Sequence, residues 1–137
     1  MATTAPSTVI GNLRLGQTDA AGVLYFASAL ELAHEAMEAH LESRGVGLAR
    51  LLADGPHLPI VHVEGNFKSP LRVGDAFIAA VDSVELSRRS LVFHTKIIGP
   101  GGRLVADISL THACIDPHTG KGIALPSSLK SALAEEA

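Results

Sequence analysis

Asp19 stands in the stretch Gln17-Thr18-Asp19-Ala20-Ala21-Gly22-Val23-Leu24-Tyr25-Phe26, a polar turn with small residues and a glycine that runs into a long helical pattern. A carboxylate so placed lies beside backbone N–H groups that lack partners and beside the positive end of a helix dipole. Such a place can hold an anion or stabilise an oxyanion. On spacing alone Asp19 also reads as a plain turn or helix-capping residue.

The other reactive residue types give less. His34-Glu35-Ala36-Met37-Glu38 falls short of the zinc-protease pattern His-Glu-x-x-His, because Glu38 occupies the place of the second histidine. A histidine and a glutamate one helical turn apart make a surface pair, and no metal site is expected. His112 and Cys114 lie two apart on a strand and so share a face, but nothing marks them as a dyad, and Cys114 reads as a core cysteine. His62 and Glu64 share a face of another strand, beside an irregularity expected at Pro59. The simpler role for His62 is a structural histidine.

The chain has 137 residues, 47% of them hydrophobic, with a formal net charge of -3. That length supports one domain with its own core. No basic surface points to nucleic acid. No apolar run approaches the ~20 residues of a membrane span, and the first residues lack the charged and apolar regions of a signal peptide. A single cysteine forms no intrachain disulfide and fits a reducing compartment. A soluble, cytoplasmic protein is expected, with a short flexible N-terminus and a tail from Ser127 that forms a frayed helix.

Residues Thr8 to Leu15 read as a first strand, with Leu13 and Leu15 on its core face. From Phe26 to Arg44 the apolar residues Phe26, Leu30, Ala33, Met37 and Leu41 recur at helical spacing. Ser28 with Glu31 predicts a capping box, and Gly45 a helix stop. A short helical turn spans Leu48 to Asp54. Four strands follow: His57 to Phe67, Asp75 to Leu86, Ser90 to Ile98 (with Leu91, Phe93, Thr95 and Ile97 on one face) and Arg103 to Ile115. Gly99-Pro100-Gly101-Gly102 joins the last two as a hairpin. One helix buries its apolar face against such a sheet by lying across it. The long edge strands left over predict a homo-oligomer.

This order, with the motif Asp19-Ala20-Ala21-Gly22 ahead of the helix, resembles the hotdog-fold thioesterases of the 4-hydroxybenzoyl-CoA thioesterase-like group. The longer string from Thr18 to Ala27, with His34-Glu35-Ala36, Leu58-Pro59-Ile60-Val61-His62 and Phe67 through Asp75, is similar to the 1,4-dihydroxy-2-naphthoyl-CoA hydrolases of phylloquinone and menaquinone synthesis. Gln17 departs from it, standing where many members carry an acidic residue. The resemblance implies an α+β hotdog fold, an antiparallel sheet of about five strands wrapped on one long helix. It also implies a dimer, pairing into a homotetramer, with active sites at subunit interfaces.

The implied activity is hydrolysis of an aromatic acyl-CoA thioester, with no cofactor, since coenzyme A is part of the substrate. Asp19 would be the nucleophile or the base that activates water. The Phe26 N–H would polarise the carbonyl, and Gly22 would let the loop approach the thioester. Tyr25 and His62 are candidate substrate-binding residues, and Lys68, Arg72, Arg88 and Arg89 are candidates for the CoA phosphates. Three alternatives stay open: a broader aryl- or short-chain acyl-CoA thioesterase, a hotdog hydroxyacyl dehydratase, and a non-catalytic acyl-CoA-binding protein.

Overall fold

A computed structural model describes residues 8–134. Expectations for residues 1–7 and 135–137 lie outside that range. The elements are β1 (Thr8–Asn12), α1 (Phe26–Ser43), α2 (Leu48–Asp54), β2 (Ile60–Phe67), β3 (Ala76–Leu86), β4 (Ser90–Ile98), β5 (Leu104–Ala113) and α3 (Ser127–Leu133). The five strands form one sheet in the order β1-β3-β4-β5-β2, every neighbouring pair antiparallel. This is the hotdog arrangement.

Because β1 and β2 occupy opposite edges, the connection between them must traverse the sheet, and α1 does so across one face. Its contacts run to β1, β3, β4 and β5. The buried residues of α1 are Ala29, Leu32, Ala33, Ala36, Met37, His40 and Leu41. This stripe is rotated from the expected one: Phe26 is 56% exposed and Leu30 only half-buried, while Leu32 is buried. Alanines at 29, 33 and 36 carry the contact, so the helix backbone can sit close to the sheet. The Ser28–Glu31 capping box does not form, because the helix has already begun at Phe26 with Tyr25 as its N-cap. The C-terminus ends as expected at Gly45, whose φ is +80°. Gly45 N–H donates to Glu42 O and Val46 N–H to Leu41 O, at 3.1 and 2.9 Å, a Schellman closure.

β1 is shorter than expected. Leu13 is buried, and its N–H still donates to Asp75 O at 2.9 Å, but Leu15 is 75% exposed. The chain leaves the sheet in a 3-10 turn over Leu15–Gln17, held by Arg14 N–H donating to Gln17 Oε1 at 2.8 Å. β2 begins at Ile60 and carries an irregularity between Ile60 and His62, next to Pro59 as expected.

Two apolar clusters fill the space between helix and sheet. One gathers around Leu13, Leu24, Leu71, Phe77 and Val105, the other around Met37, Leu91, Phe93 and Leu125, closed by Leu129 and Leu133 of α3. The β4 residues Leu91, Phe93, Thr95 and Ile97 are all buried. Cys114 is buried too, and burial pushes its thiol pKa up. His112 does not face it as a partner: its Nδ1 donates to Leu58 O at 2.7 Å and its ring packs edge-on against Phe93. Burial lowers the pKa of His112, the hydrogen bond to Leu58 opposes this, and nearby His34 lowers it further.

Candidate active site

The loop before α1 is a tight hairpin. Asp19 N–H donates to Val23 O at 2.9 Å and Gly22 N–H returns to Asp19 O at 3.0 Å. Asp19 Oδ1 accepts from the N–H groups of Ala21 at 2.8 Å and Val23 at 3.4 Å. Both bonds fall on one carboxylate oxygen; among the described residues Oδ2 accepts none. Gly22 has φ +77°, a value favoured by glycine that lets the turn close over so few residues. The hairpin is docked to the rest of the chain by Leu24 N–H on Leu71 O at 2.8 Å and Tyr25 N–H on Gln17 O at 2.9 Å.

This fixes Asp19 on the rim of a depression of about 490 Å³, walled by Tyr25, Phe26, Phe67, Lys68, Leu71 and Val105. Phe26 is the first residue of α1, so its N–H belongs to the turn that has no intrahelical acceptors. The Tyr25 side chain makes no cap hydrogen bond and no acidic residue occupies the first turn. The first turn of α1 thus carries no side-chain cap, and its first residue, Phe26, lines the same depression as Asp19.

Asp19, Tyr25, Phe26 and Lys68 are thus brought together, with Gly22 shaping the turn that holds Asp19. Arg72 lies next to this group: it bridges Val23, its N–H donates to Asp75 Oδ2 at 2.9 Å, and its side chain is exposed outside the depression. His62 is elsewhere. It lies on the β2 face opposite Val63 and Phe67, with its Nε2 3.2 Å from Glu64 Oε1. Arg88 and Arg89 occupy the β3–β4 turn, where their carbonyls accept from Leu125 and Cys114 N–H. That is the end of the sheet away from Val105 and Phe67, so one chain does not bring this pair to the Asp19 depression. The walls Phe67, Leu71 and Val105 were not named as site residues from sequence, although Phe67 and Leu71 lie in the string Phe67 through Asp75 that carries the resemblance. Among the described residues no group of three or more His, Cys, Asp or Glu side chains is arranged to hold a metal ion.

The fold and the loop geometry define a thioesterase-like protein, and the comparisons agree. Residues 13–133 match the Thioesterase-like superfamily, and the chain belongs to that family. It is 38% identical over 120 residues to a 1,4-dihydroxy-2-naphthoyl-CoA hydrolase of Rippkaea orientalis, a match covering 85% of this chain and 87% of the relative. Among solved structures it is similar to a 1,4-dihydroxy-2-naphthoyl-CoA thioesterase from Synechocystis, at TM-score 0.82 and 29% identity over 92% of this chain and 93% of that one. A gentisyl-coenzyme A thioesterase superposes at TM-score 0.81 with 25% identity, covering 93% and 99% of the two chains.

Proposed function

We propose that this protein hydrolyses 1,4-dihydroxy-2-naphthoyl-CoA to the free acid and CoA. The observation that supports the reading is the depression lined by both Asp19 and Phe26, the first residue of α1, whose first turn has no side-chain cap. The thioester oxygen accepts a hydrogen bond from the Phe26 N–H, which stabilises the charge that develops on it. Asp19 then either attacks the carbonyl carbon, forming an anhydride that water opens, or takes a proton from the attacking water. The thiolate of CoA leaves in both cases, and neither route needs a cofactor. Thiol release from a panel of acyl-CoA esters tests the reading. Rapid release from the dihydroxynaphthoyl ester is expected, and none from that ester overturns it.

Lys68 is the cation that supports CoA binding at this depression. Lys68→Glu is expected to raise KM for acyl-CoA roughly 10-fold with kcat nearly unchanged, the pattern for loss of uniform binding. Arg88→Glu with Arg89→Glu should leave the KM of a monomeric protein unaltered, and raise it where a second chain carries this pair to the site. Steady-state kinetics alongside the measured mass separate these outcomes.

The assembly belongs to the same proposal. Among the described residues β2 pairs with β5 alone, and it is exposed along all eight residues. It carries Ile60, Val61, Val63 and Phe67 as exposed apolar side chains, with no proline or lysine inside the strand to blunt the edge. A second copy covers this edge in a homodimer, which can pair again into a tetramer. Light scattering at micromolar concentration should give at least twice the chain mass; a monomer refutes this part. No helix among the described residues is long and apolar enough to cross a membrane, and a cytoplasmic location goes with the reading.

A further inference from the structure

The chain between β2 and β3 receives the hairpin that carries Asp19. Val23 holds Asp19 on one side, its N–H donating to Oδ1 and its carbonyl accepting from the Asp19 N–H, and it bridges Arg72 on the other. Leu24 N–H then donates to Leu71 O. Phe26 is placed by other contacts: it opens α1, which rests on the sheet through Ala29, Leu32 and Ala33. The separation of the Asp19 carboxylate from the Phe26 N–H therefore depends on where residues 68–75 sit relative to that helix.

Residues 68–75 belong to no helix or strand and are held by bonds to their neighbours. On the β1 side Gly74 N–H donates to Leu13 O at 2.8 Å and Leu13 N–H to Asp75 O at 2.9 Å. On the β5 side Lys68 N–H donates to Val105 O at 2.8 Å and Ser69 Oγ to Leu104 O at 2.7 Å. Arg103 closes the stretch between these moorings. Its Nη2 donates to Pro70 O at 2.7 Å and lies 3.5 Å from Asp75 Oδ2, while Nη1 donates to Pro100 O at 3.2 Å. The same Asp75 oxygen accepts from Arg72 N–H at 2.9 Å. One guanidinium thus ties both ends of the Pro70–Asp75 turn to the β4–β5 turn.

The two turns meet closely. A Cβ on Gly99 would stand 3.0 Å from Val105 Cγ2 and 3.2 Å from Leu71 Cδ1, so the absence of one lets Leu71 approach. Leu71 is fully buried, which fixes the depth of the segment. Apolar contact has no direction. The orientation of the Leu71 carbonyl and the Arg72 backbone is left to groups that bond in fixed directions, and the planar fork of an arginine is one.

We propose that Arg103 is a positioning residue: by clamping Pro70 O and Asp75 to the β4–β5 turn it sets the distance from Asp19 to the Phe26 N–H, and with it the turnover number. The inference rests on the proposed function and adds a residue that touches no reacting group, since Arg103 does not line the Asp19 depression. Stability takes little from the clamp. Pro70 is exposed, and the side chains of Arg103 and Asp75 are 38% and 30% exposed, so water replaces the lost partner and the ion pair contributes little. Catalysis takes more, because a misplacement of ~1 Å at the reacting groups costs up to ~100-fold in rate.

The test compares Arg103→Met, which keeps the stem and removes the fork, with Arg103→Lys, which keeps a charge and a point donor. Each is made in the parent and in an Asp19→Asn background. Thiol release is read on the acyl-CoA ester that the wild type cleaves fastest, with urea unfolding alongside. Arg103→Met should lower kcat ~10-fold, with KM within ~3-fold and an unfolding midpoint near that of the parent. Arg103→Lys should recover part of the loss, to within ~3-fold of the parent. In the Asp19→Asn background Arg103→Met should change the residual rate less than ~2-fold, because the group it positions is gone. Should Arg103→Met fail to fold, the lysine variant in the two backgrounds decides. Unchanged kcat, a rise in KM alone, or the same loss in the absence of the Asp19 carboxylate overturns the positioning role and leaves the functional reading standing. A wild-type protein that releases thiol from no acyl-CoA ester overturns the functional reading and the positioning role with it.

Discussion

Asp19→Asn is expected to lower turnover of the aryl-CoA substrate by at least ~100-fold, the usual scale for losing a catalytic acid or base. The substitution is conservative for the fold, since an asparagine side-chain oxygen can still accept the bonds from Ala21 and Val23 N–H that Oδ1 accepts now. It removes the negative charge and replaces the second carboxylate oxygen by an amide nitrogen. The melting temperature should therefore stay close to that of the parent while thiol release collapses, and near-normal hydrolysis by a folded variant would refute the assignment. Single turnover in oxygen-18 water separates the two roles left to Asp19: label in its carboxylate reports covalent attack.

Phe93→Ala gives the largest expected change in stability, a loss of about 3–5 kcal/mol, as for other buried phenylalanines. Phe93 is fully buried on β4, and its ring meets His112 edge-on with centroids 5.4 Å apart and His40 at 6.3 Å. Truncation leaves a void between two imidazoles and the helix α1, and a loss of that size is a large part of the ~5–15 kcal/mol a domain has. Urea unfolding with an unchanged m-value would measure it. Phe93 belongs to the apolar cluster away from Asp19, so catalysis in the folded fraction should persist. A loss below ~1 kcal/mol would show that the cluster can collapse onto the gap.

The hairpins and the helix span were legible in the sequence because their signals are local. Leu91, Phe93, Thr95 and Ile97 alternate, Gly99 to Gly102 punctuate, and Gly45 stops α1. The orientation of α1 was not, since the large residues Phe26 and Leu30 weigh most in a periodic pattern, whereas its line of contact with the sheet is made by alanines. Leu15 continued an alternation that the Gln17 side chain ends by closing a turn. Asp19 and Phe26 were singled out from their loop motif through its resemblance, and both line one depression. The walls around them were not, because Phe67, Leu71 and Val105 meet only through the β2–β5 pairing and the Leu24–Leu71 hydrogen bond. Arg88 and Arg89 read as a pair near substrate, but their distance from Asp19 depends on strand length and register, which composition does not encode.

The placement of β1 and β2 at opposite margins has a consequence for how the chain folds. β3, β4 and β5 are successive hairpins and can zip with short loop closures, whereas β2 finds β5 only after some forty residues of intervening chain are arranged, a slower and entropically costlier event. The depression beside Asp19 is bounded by β2 through Phe67 and by the hairpin that docks on Leu71. Both depend on closures across long stretches of chain, as does the pairing of β1 with β3, so the reactive end of this molecule is assembled from long-range contacts rather than from the local hairpins of the meander.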